Sequence, residues 1–157
     1  MIEVKNVSKS FDDKTILHNV SAQFRDGITN LIIGQSGSGK TVLMKSLVGL
    51  HTPDEGEILY DGRDLLKMNN NQRKALRKEI GMLFQGSALF DSETVLGNVM
   101  FPLKMFSDMS YEEQLERAHF CINRVNLVGA DDKYPSEISG GMQKRVAIAR
   151  AIALNPK

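Results

Sequence analysis

The chain has 157 residues, 41% of them apolar and 25% charged, with a formal net charge of +1. That is ordinary composition for a globular domain, and it argues against a strongly basic nucleic-acid binder or an acidic tail. No apolar run approaches the roughly 20 residues of a membrane span, no basic-then-apolar leader is visible, and the single cysteine, Cys121, allows no internal disulfide, so the reading is a soluble domain of a reducing cytosol.

The first stretch reads as short strands. In Thr15 to Phe24, residues Ile16, Val20, Ala22 and Phe24 share one face, with Thr15, Asn19, Ser21 and Gln23 on the other. That alternation also puts His18 on the apolar face, as a structural histidine. Turns at Asp12-Asp13 and Asp26-Gly27 bracket this strand. Leu31-Ile32-Ile33 predicts a strand buried on both faces. A glycine-rich turn, Gly34 to Gly39, leads into a helix on which Val42, Leu43, Leu47 and Leu50 recur at helical spacing. Pro53-Asp54-Glu55-Gly56 ends that helix and opens a strand over Glu57 to Tyr60, closed by Asp61-Gly62. A polar helix is expected over Asn71 to Lys78, then a short apolar strand, Gly81-Met82-Leu83-Phe84.

From about Ser92 the pattern turns helical. Ser110 with Glu113 forms a capping box opening a helix toward Val125, each side chain satisfying a free backbone amide. Phe120 and Ile122 beside Cys121 predict a buried, inert thiol. Tyr134-Pro135-Ser136 breaks the chain, and a last helix runs from about Gly141 to a stop at Asn155-Pro156. The order is that of an α/β domain with an inserted helical part.

Gly34-Gln35-Ser36-Gly37-Ser38-Gly39-Lys40-Thr41 fits the G-x-x-x-x-G-K-[ST] phosphate loop at every specified position, and Val42 continues it into the helix. Glycines let the backbone wrap so closely that several N–H groups can face phosphate oxygens. The helix behind adds the positive end of its dipole. Lys40 can reach the β- and γ-phosphates, and the Thr41 hydroxyl can coordinate Mg²⁺. Alone, this loop says nucleoside triphosphate and no more.

A second signal opens the last helix: Ser139-Gly140-Gly141-Met142-Gln143. Two glycines and a serine at a helix start offer free amides and a hydroxyl. By itself the segment is equally an ordinary helix start with Ser139 as N-cap.

Together the two motifs resemble the ATP-binding cassette family, along nearly the whole chain from about Glu3 to Lys157. The signature reads Ile138-Ser139-Gly140-Gly141-Met142-Gln143, with Ile138 where the family usually has leucine, a volume-conserving departure. The following Lys144-Arg145-Val146-Ala147-Ile148-Ala149-Arg150-Ala151 also looks like the family's signature helix. The resemblance implies a P-loop NTPase core with an N-terminal antiparallel β subdomain and an inserted helical subdomain. The expected parts are residues 1–88 for the β subdomain and P-loop core, 89–138 for the helical subdomain, and 139–157 for the signature helix.

It also implies roles. Phe11 sits where the family stacks an aromatic ring on adenine, although alone it would read as a core residue at a strand end. Gln85 matches the glutamine that approaches Mg²⁺ and the attacking water. ATP and Mg²⁺ are the expected ligands. Two such domains would pair head to tail, with one nucleotide between Lys40 of one subunit and Ser139, Gly140, Gly141 and Gln143 of the other. A membrane subunit would dock near Gln85 to Leu103, placing the protein on the inner face of the cell membrane, with no nucleic acid involved. The family's next segment, an apolar strand ending in aspartate and glutamate, lies beyond Lys157, and so does its γ-phosphate histidine; His18, His51 and His119 all precede the signature. Part of the core sheet is therefore expected to be missing, leaving apolar faces unpartnered and the chain prone to self-association, with negligible hydrolysis.

Ala88-Leu89-Phe90, then Asn98-Val99 and Phe101-Pro102-Leu103, look like bacterial cassettes that traffic phospholipid to maintain outer-membrane asymmetry. Cassettes for methionine uptake, lipoprotein release and cell division share parts of this pattern. A small-molecule kinase would explain Gly34 to Thr41 but not Ser139-Gly140-Gly141. A chromosome-organising or DNA-repair ATPase would separate the motifs by long coiled coils, and no sustained heptads appear. A nucleotide-binding module without hydrolysis is the third alternative.

Overall fold

A computed structural model describes residues 1–157, which divide into two compact units, 1–74 and 75–157. The division falls earlier than the 88/89 boundary expected from sequence. The reason lies in contacts that fasten 79–87 to the last helix and the residues after it: the Lys157 ammonium meets Glu79 at 2.8 Å, and Arg150 donates to the Ser87 carbonyl at 2.9 Å.

The first unit is built on strands β1 (Ile2–Phe11), β2 (Lys14–Phe24), β3 (Glu55–Tyr60) and β4 (Arg63–Asp64), in the order β2-β1-β3-β4 with every neighbour antiparallel. Asp12-Asp13 closes the first hairpin, and Asp61-Gly62, both at positive φ, closes the last one. The β1–β2 ladder shifts register three times, by bulges between Val4 and Val7, Val7 and Lys9, and Lys9 and Ser10, and Asn6 and Asn19, at the first two, are left-handed. The Asn6 amide donates to Ser21 Oγ, and the Asn19 amide to Ser8 Oγ. A bulge inserts one residue and so reverses the alternation beyond it.

The second bulge corrects the sequence reading of β2. Leu17 becomes the buried residue, and His18 is exposed rather than on the apolar side. Val4, Val7, Leu17, Leu43, Leu47, Ile58, Tyr60 and Leu65 make up the buried apolar set of this unit. The Tyr60 hydroxyl donates to the Leu47 carbonyl at 2.8 Å, and burial pushes its pKa up to about 12. Helix α1 (Lys40–Leu47) lies in this unit, and α2 (Asn70–Lys78) spans the boundary.

The second unit holds α3 (Val95–Phe106), α4 (Tyr111–Arg124), a single 3-10 turn (Pro135–Glu137) and α5 (Gly140–Ile152). Thr94 caps α3, and the Ser110–Glu113 box opens α4 as expected. Val95, Val99 and Leu103 of α3 pack with Ala118, Cys121 and Ile122 of α4 and Val146 and Ala149 of α5 in one cluster. Cys121 is fully buried, and that burial raises its thiol pKa, in keeping with an inert role. Arg117 closes α5 by donating to the carbonyls of Ile152 and Ala153, both at 2.9 Å.

Two expected strands are absent. Residues 31–33 form none, and Leu31 and Ile33 are 80% and 81% exposed. Residues 81–84 form none either, with Leu83 and Phe84 exposed. A strand exists only where a neighbour takes its N–H and C=O groups, and all ladder pairs of this chain lie among β1 to β4. The apolar patterns are real, but no strand of residues 1–157 pairs with them.

Candidate functional site

The turn ahead of α1 is curved by its glycines. Gly37 and Gly39 have φ of 79° and 88°, a region that L side chains rarely adopt. A Cβ on Gly34 would lie 2.6 Å from Ser38 Oγ, and one on Gly39 would lie 3.0 Å from Leu17 Cδ2 and 3.1 Å from the Ile16 carbonyl oxygen. The loop therefore closes on itself at Gly34 and against β2 at Gly39, while Gly37 faces open space. The Ser38 amide donates to the Gln35 carbonyl at 3.2 Å, completing the turn around Ser36 and Gly37.

Lys40 doubles back across that turn. Its Nζ donates to the carbonyls of Gly34 and Gln35 at 2.7 and 2.6 Å. The ammonium is thus fixed beside the loop, not dispersed in solvent. Helix α1 begins from Gly39 with no side-chain cap, so its first-turn amides, including those of Lys40, Thr41 and Val42, are left for an outside acceptor. Thr41 is exposed. These features fit a phosphate group: a cradle a Cβ would fill, an uncapped helix start, and one fixed cation. A single hydroxyl such as Thr41 suits Mg²⁺, which takes most of its oxygens from water and phosphate.

Phe11 ends β1 in the same unit, 40% exposed. Its ring meets His51 edge-on at 5.2 Å, and Lys9 Nζ lies 5.3 Å from its centroid. Asp54 fastens this strand end. It accepts from Lys9 Nζ at 2.6 Å and from the Ser10 amide at 2.7 Å, while its own amide donates to the Ser8 carbonyl. The Lys9 hydrogen bond, then that of the Ser10 amide, holds the Asp54 carboxyl below its ordinary value. Sequence reasoning took Pro53-Asp54-Glu55-Gly56 only as a helix stop. The tie to Lys9 becomes visible once β1 and β3 are paired.

In the second unit, Ser139 is the N-cap of α5, its Oγ accepting from the Met142 amide at 3.3 Å. Ser139, Gly140 and Gly141 are exposed, and nothing within 4 Å would meet a Cβ on Gly140. Gln143 points elsewhere: its Nε2 donates to the Pro135 carbonyl at 2.8 Å, securing the 3-10 turn to α5. Gln85 is exposed, in a turn rather than at a strand end.

Downstream of Gln85 the structure shows a hub that sequence reasoning missed. Asn98 is completely buried; its Oδ1 accepts from the Phe90 amide at 2.9 Å, and its Nδ2 donates to the carbonyls of Phe90, Glu93 and Thr94. Arg150 joins it from α5. The available signal was one asparagine inside the apolar run Val95 to Leu103.

Comparison with known proteins identifies the family. The model of the ABC transporter family matches residues 17–157. The intermembrane phospholipid transport system ATP-binding protein MlaF of Haemophilus influenzae is 40% identical over 156 residues, which is 99% of this chain and 59% of that protein. The methionine import ATP-binding protein MetN of Clostridium tetani is also 40% identical, over 100% of this chain and 49% of that protein. The chain thus spans about half to three fifths of these relatives' length. Among solved structures, a dimeric ATP-binding cassette in a post-hydrolysis state bound to ADP and Pi superposes with a TM-score of 0.90 at 35% identity, covering 99% of this chain and 71% of that one. A family match over most of the chain, together with the fold and the phosphate-type turn, places this protein in the ABC transporter family as a chain with the ATP-binding-cassette fold.

Proposed function

We propose that this chain binds ATP with Mg²⁺ as part of the ATP-binding subunit of a membrane transporter. The observation that carries the reading is the Gly34–Thr41 turn, where Lys40 bridges two loop carbonyls beside an uncapped helix start. Backbone amides from Gly34 to Val42 would hold the phosphates, with Lys40 the cation on the β- and γ-phosphates. Thr41 and Gln85 would hold the metal, which when bound neutralises phosphate charge. Phe11 would carry the adenine ring on its open face. Ser139, Gly140 and Gly141 would complete the phosphate site of a second, head-to-tail subunit, with Gln143, turned to the Pro135 carbonyl, bracing the turn before them. The cassette solved as a dimer with ADP and Pi supports that arrangement.

A membrane subunit would dock on Gln85 to Leu103, on the inner face of the membrane. Phe90 and Phe101 support this, their rings tilted by 50° with centroids 4.5 Å apart, yet both exposed. No helix here is long and apolar enough to cross a membrane itself. For cargo we propose phospholipid or another envelope lipid, on the Ala88–Leu103 pattern and the name of the Haemophilus influenzae relative. Methionine is the second reading, because a relative named for methionine import is equally similar.

Residues 1–157 contain no Asp-Glu strand end after α5, so binding without turnover is expected of this chain by itself. The test is titration with a fluorescent ATP analogue beside a phosphate-release assay. Saturable binding displaced by ATP, with no phosphate above the buffer rate, is the expected result. Absence of saturable binding would overturn the nucleotide reading, and turnover abolished by Lys40→Ala would overturn the inactivity.

A further inference from the structure

The segment just after Gln85 has an unusual backbone. Ser87 and Ala88 are consecutive non-glycine residues at positive φ, 63° and 48°, a conformation that costs each of them roughly 1–2 kcal/mol and persists only where the surroundings hold it. Backbone bonds from the Ser87 amide to the Phe84 carbonyl and from the Ala88 amide to the Gly86 carbonyl close it, and Arg150, in the last turn of α5, fastens it from outside. Its Nη2 donates to the Ser87 carbonyl at 2.9 Å, its Nη1 donates to Asn98 Oδ1 at 3.3 Å, and its guanidinium lies 5.6 Å from the centre of the Phe90 ring. Every one of these partners is neutral, and no carboxylate pairs with it. Burial pulls the Arg150 pKa down, as it must for a cation removed from water.

A part-buried cation with no counter-charge is a costly way to fill a core, and an apolar residue of similar volume would pack there at less expense. The planar fork has a use that a methionine or lysine lacks: it meets a carbonyl, an amide oxygen and a ring face at once. The same helix carries Ser139, Gly140 and Gly141 at its other end.

We propose that Arg150 is a positioning residue for Gln85: it clamps the left-handed Ser87-Ala88 turn, and through it the 86–94 segment, onto the helix that carries Ser139–Gly141. Any displacement of the docking segment is thereby imposed on α5 through a rigid tie, in place of a sliding apolar contact. The importance of the clamp rests on the proposed role of Gln85, but its existence does not.

Native-state hydrogen exchange of the full chain tests it. Arg150→Met is expected to speed exchange at the Ser87, Phe90 and Glu93 amides by about tenfold, the equivalent of one charge-assisted hydrogen bond. The α4 amides at Ala118, Cys121 and Ile122 should stay within about twofold of the parent chain. In Arg150→Ala, added methylguanidinium should restore protection at 87–93, which it has no reason to do if the residue merely fills space. Should Arg150→Met not fold, Arg150→Lys carries the same readout with a smaller rise. Unchanged exchange at 87–93, an equal rise across α4, or no rescue by methylguanidinium each overturns the clamp. Analogue binding by the parent chain separates the two claims: its absence defeats the nucleotide reading and leaves the exchange result standing.

Discussion

Two helices of this chain begin with glycine beside serine or lysine, and they begin in opposite ways. Helix α1 starts from Gly39, left-handed at φ 88°, with no side chain on its amides and Lys40 turned back over the loop. Helix α5 starts from Ser139, extended at φ −65° and ψ 157°, with its own hydroxyl on the Met142 amide. One end is an open cradle with a cation in place, and the other is already capped. Both are anion-binding sequences on paper, but only the first is arranged to take a ligand unaided. The second offers donors that, in the proposed head-to-tail pair, would meet a nucleotide held by the other subunit.

The largest effect should therefore come from the first site alone. Lys40→Met removes a fixed cation, and charged hydrogen bonds of this kind contribute about 1.5–3 kcal/mol, so analogue affinity should fall by about 100-fold. Ser139→Ala in the same assay should leave the chain's own affinity within about twofold while lowering stability by about 1 kcal/mol through the lost cap. Equal losses of affinity in both variants would erase the distinction drawn between the two helix starts.

A pair of alanine substitutions sharpens it further, through stability measured by denaturant unfolding. Gly39→Ala must adopt a left-handed backbone, at a cost of about 1–2 kcal/mol, and its Cβ would press on Leu17 and the Ile16 carbonyl. Gly140→Ala meets no atom within 4 Å, and reduced freedom of the unfolded chain should leave it neutral or stabilising by up to about 1 kcal/mol. Indistinguishable unfolding midpoints would mean that the α1 turn is looser than its geometry indicates.

The glycine-rich loop, the Ser110 capping box, the Asp61-Gly62 turn and the start of α5 were all legible in the sequence, because each is fixed by residues within a few positions of one another. What failed was non-local. Alternation along Thr15 to Phe24 could not show the Asn19 bulge, whose amide is held by Ser8 on the neighbouring strand, so Leu17 and His18 exchanged places. Leu31-Ile32-Ile33 has the composition of a central strand but pairs with no strand among residues 1–157, and composition does not report pairing. Arg150 stood in plain view within the signature helix, yet its partners Ser87 and Asn98 lie 63 and 52 residues away. Motif spacing identifies the groups that touch a ligand more readily than those that hold them in place.

The smallest expected effect concerns the ring side of the first site, for which the α5 start has no counterpart. Asp54 fixes Ser8 to Ser10 and so sets the strand end that presents Phe11. Its carboxyl is held below the ordinary 3.8, first by the Lys9 hydrogen bond and then by the Ser10 amide. A folded-state pKa below the unfolded one means that its contribution is present in full above the unfolded value and disappears as pH falls through the folded value. Asp54→Asn should therefore melt slightly below the parent chain at pH 7, and the gap should close in acid, as pH falls through the lowered folded-state value. Because the carboxylate is exposed and its ion pair screened by solvent, the difference in melting temperature should be small and should shrink in salt. A gap that persists unchanged in acid would show that Asp54 holds the strand end through its shape and neutral hydrogen bonds, with its charge irrelevant to where Phe11 sits.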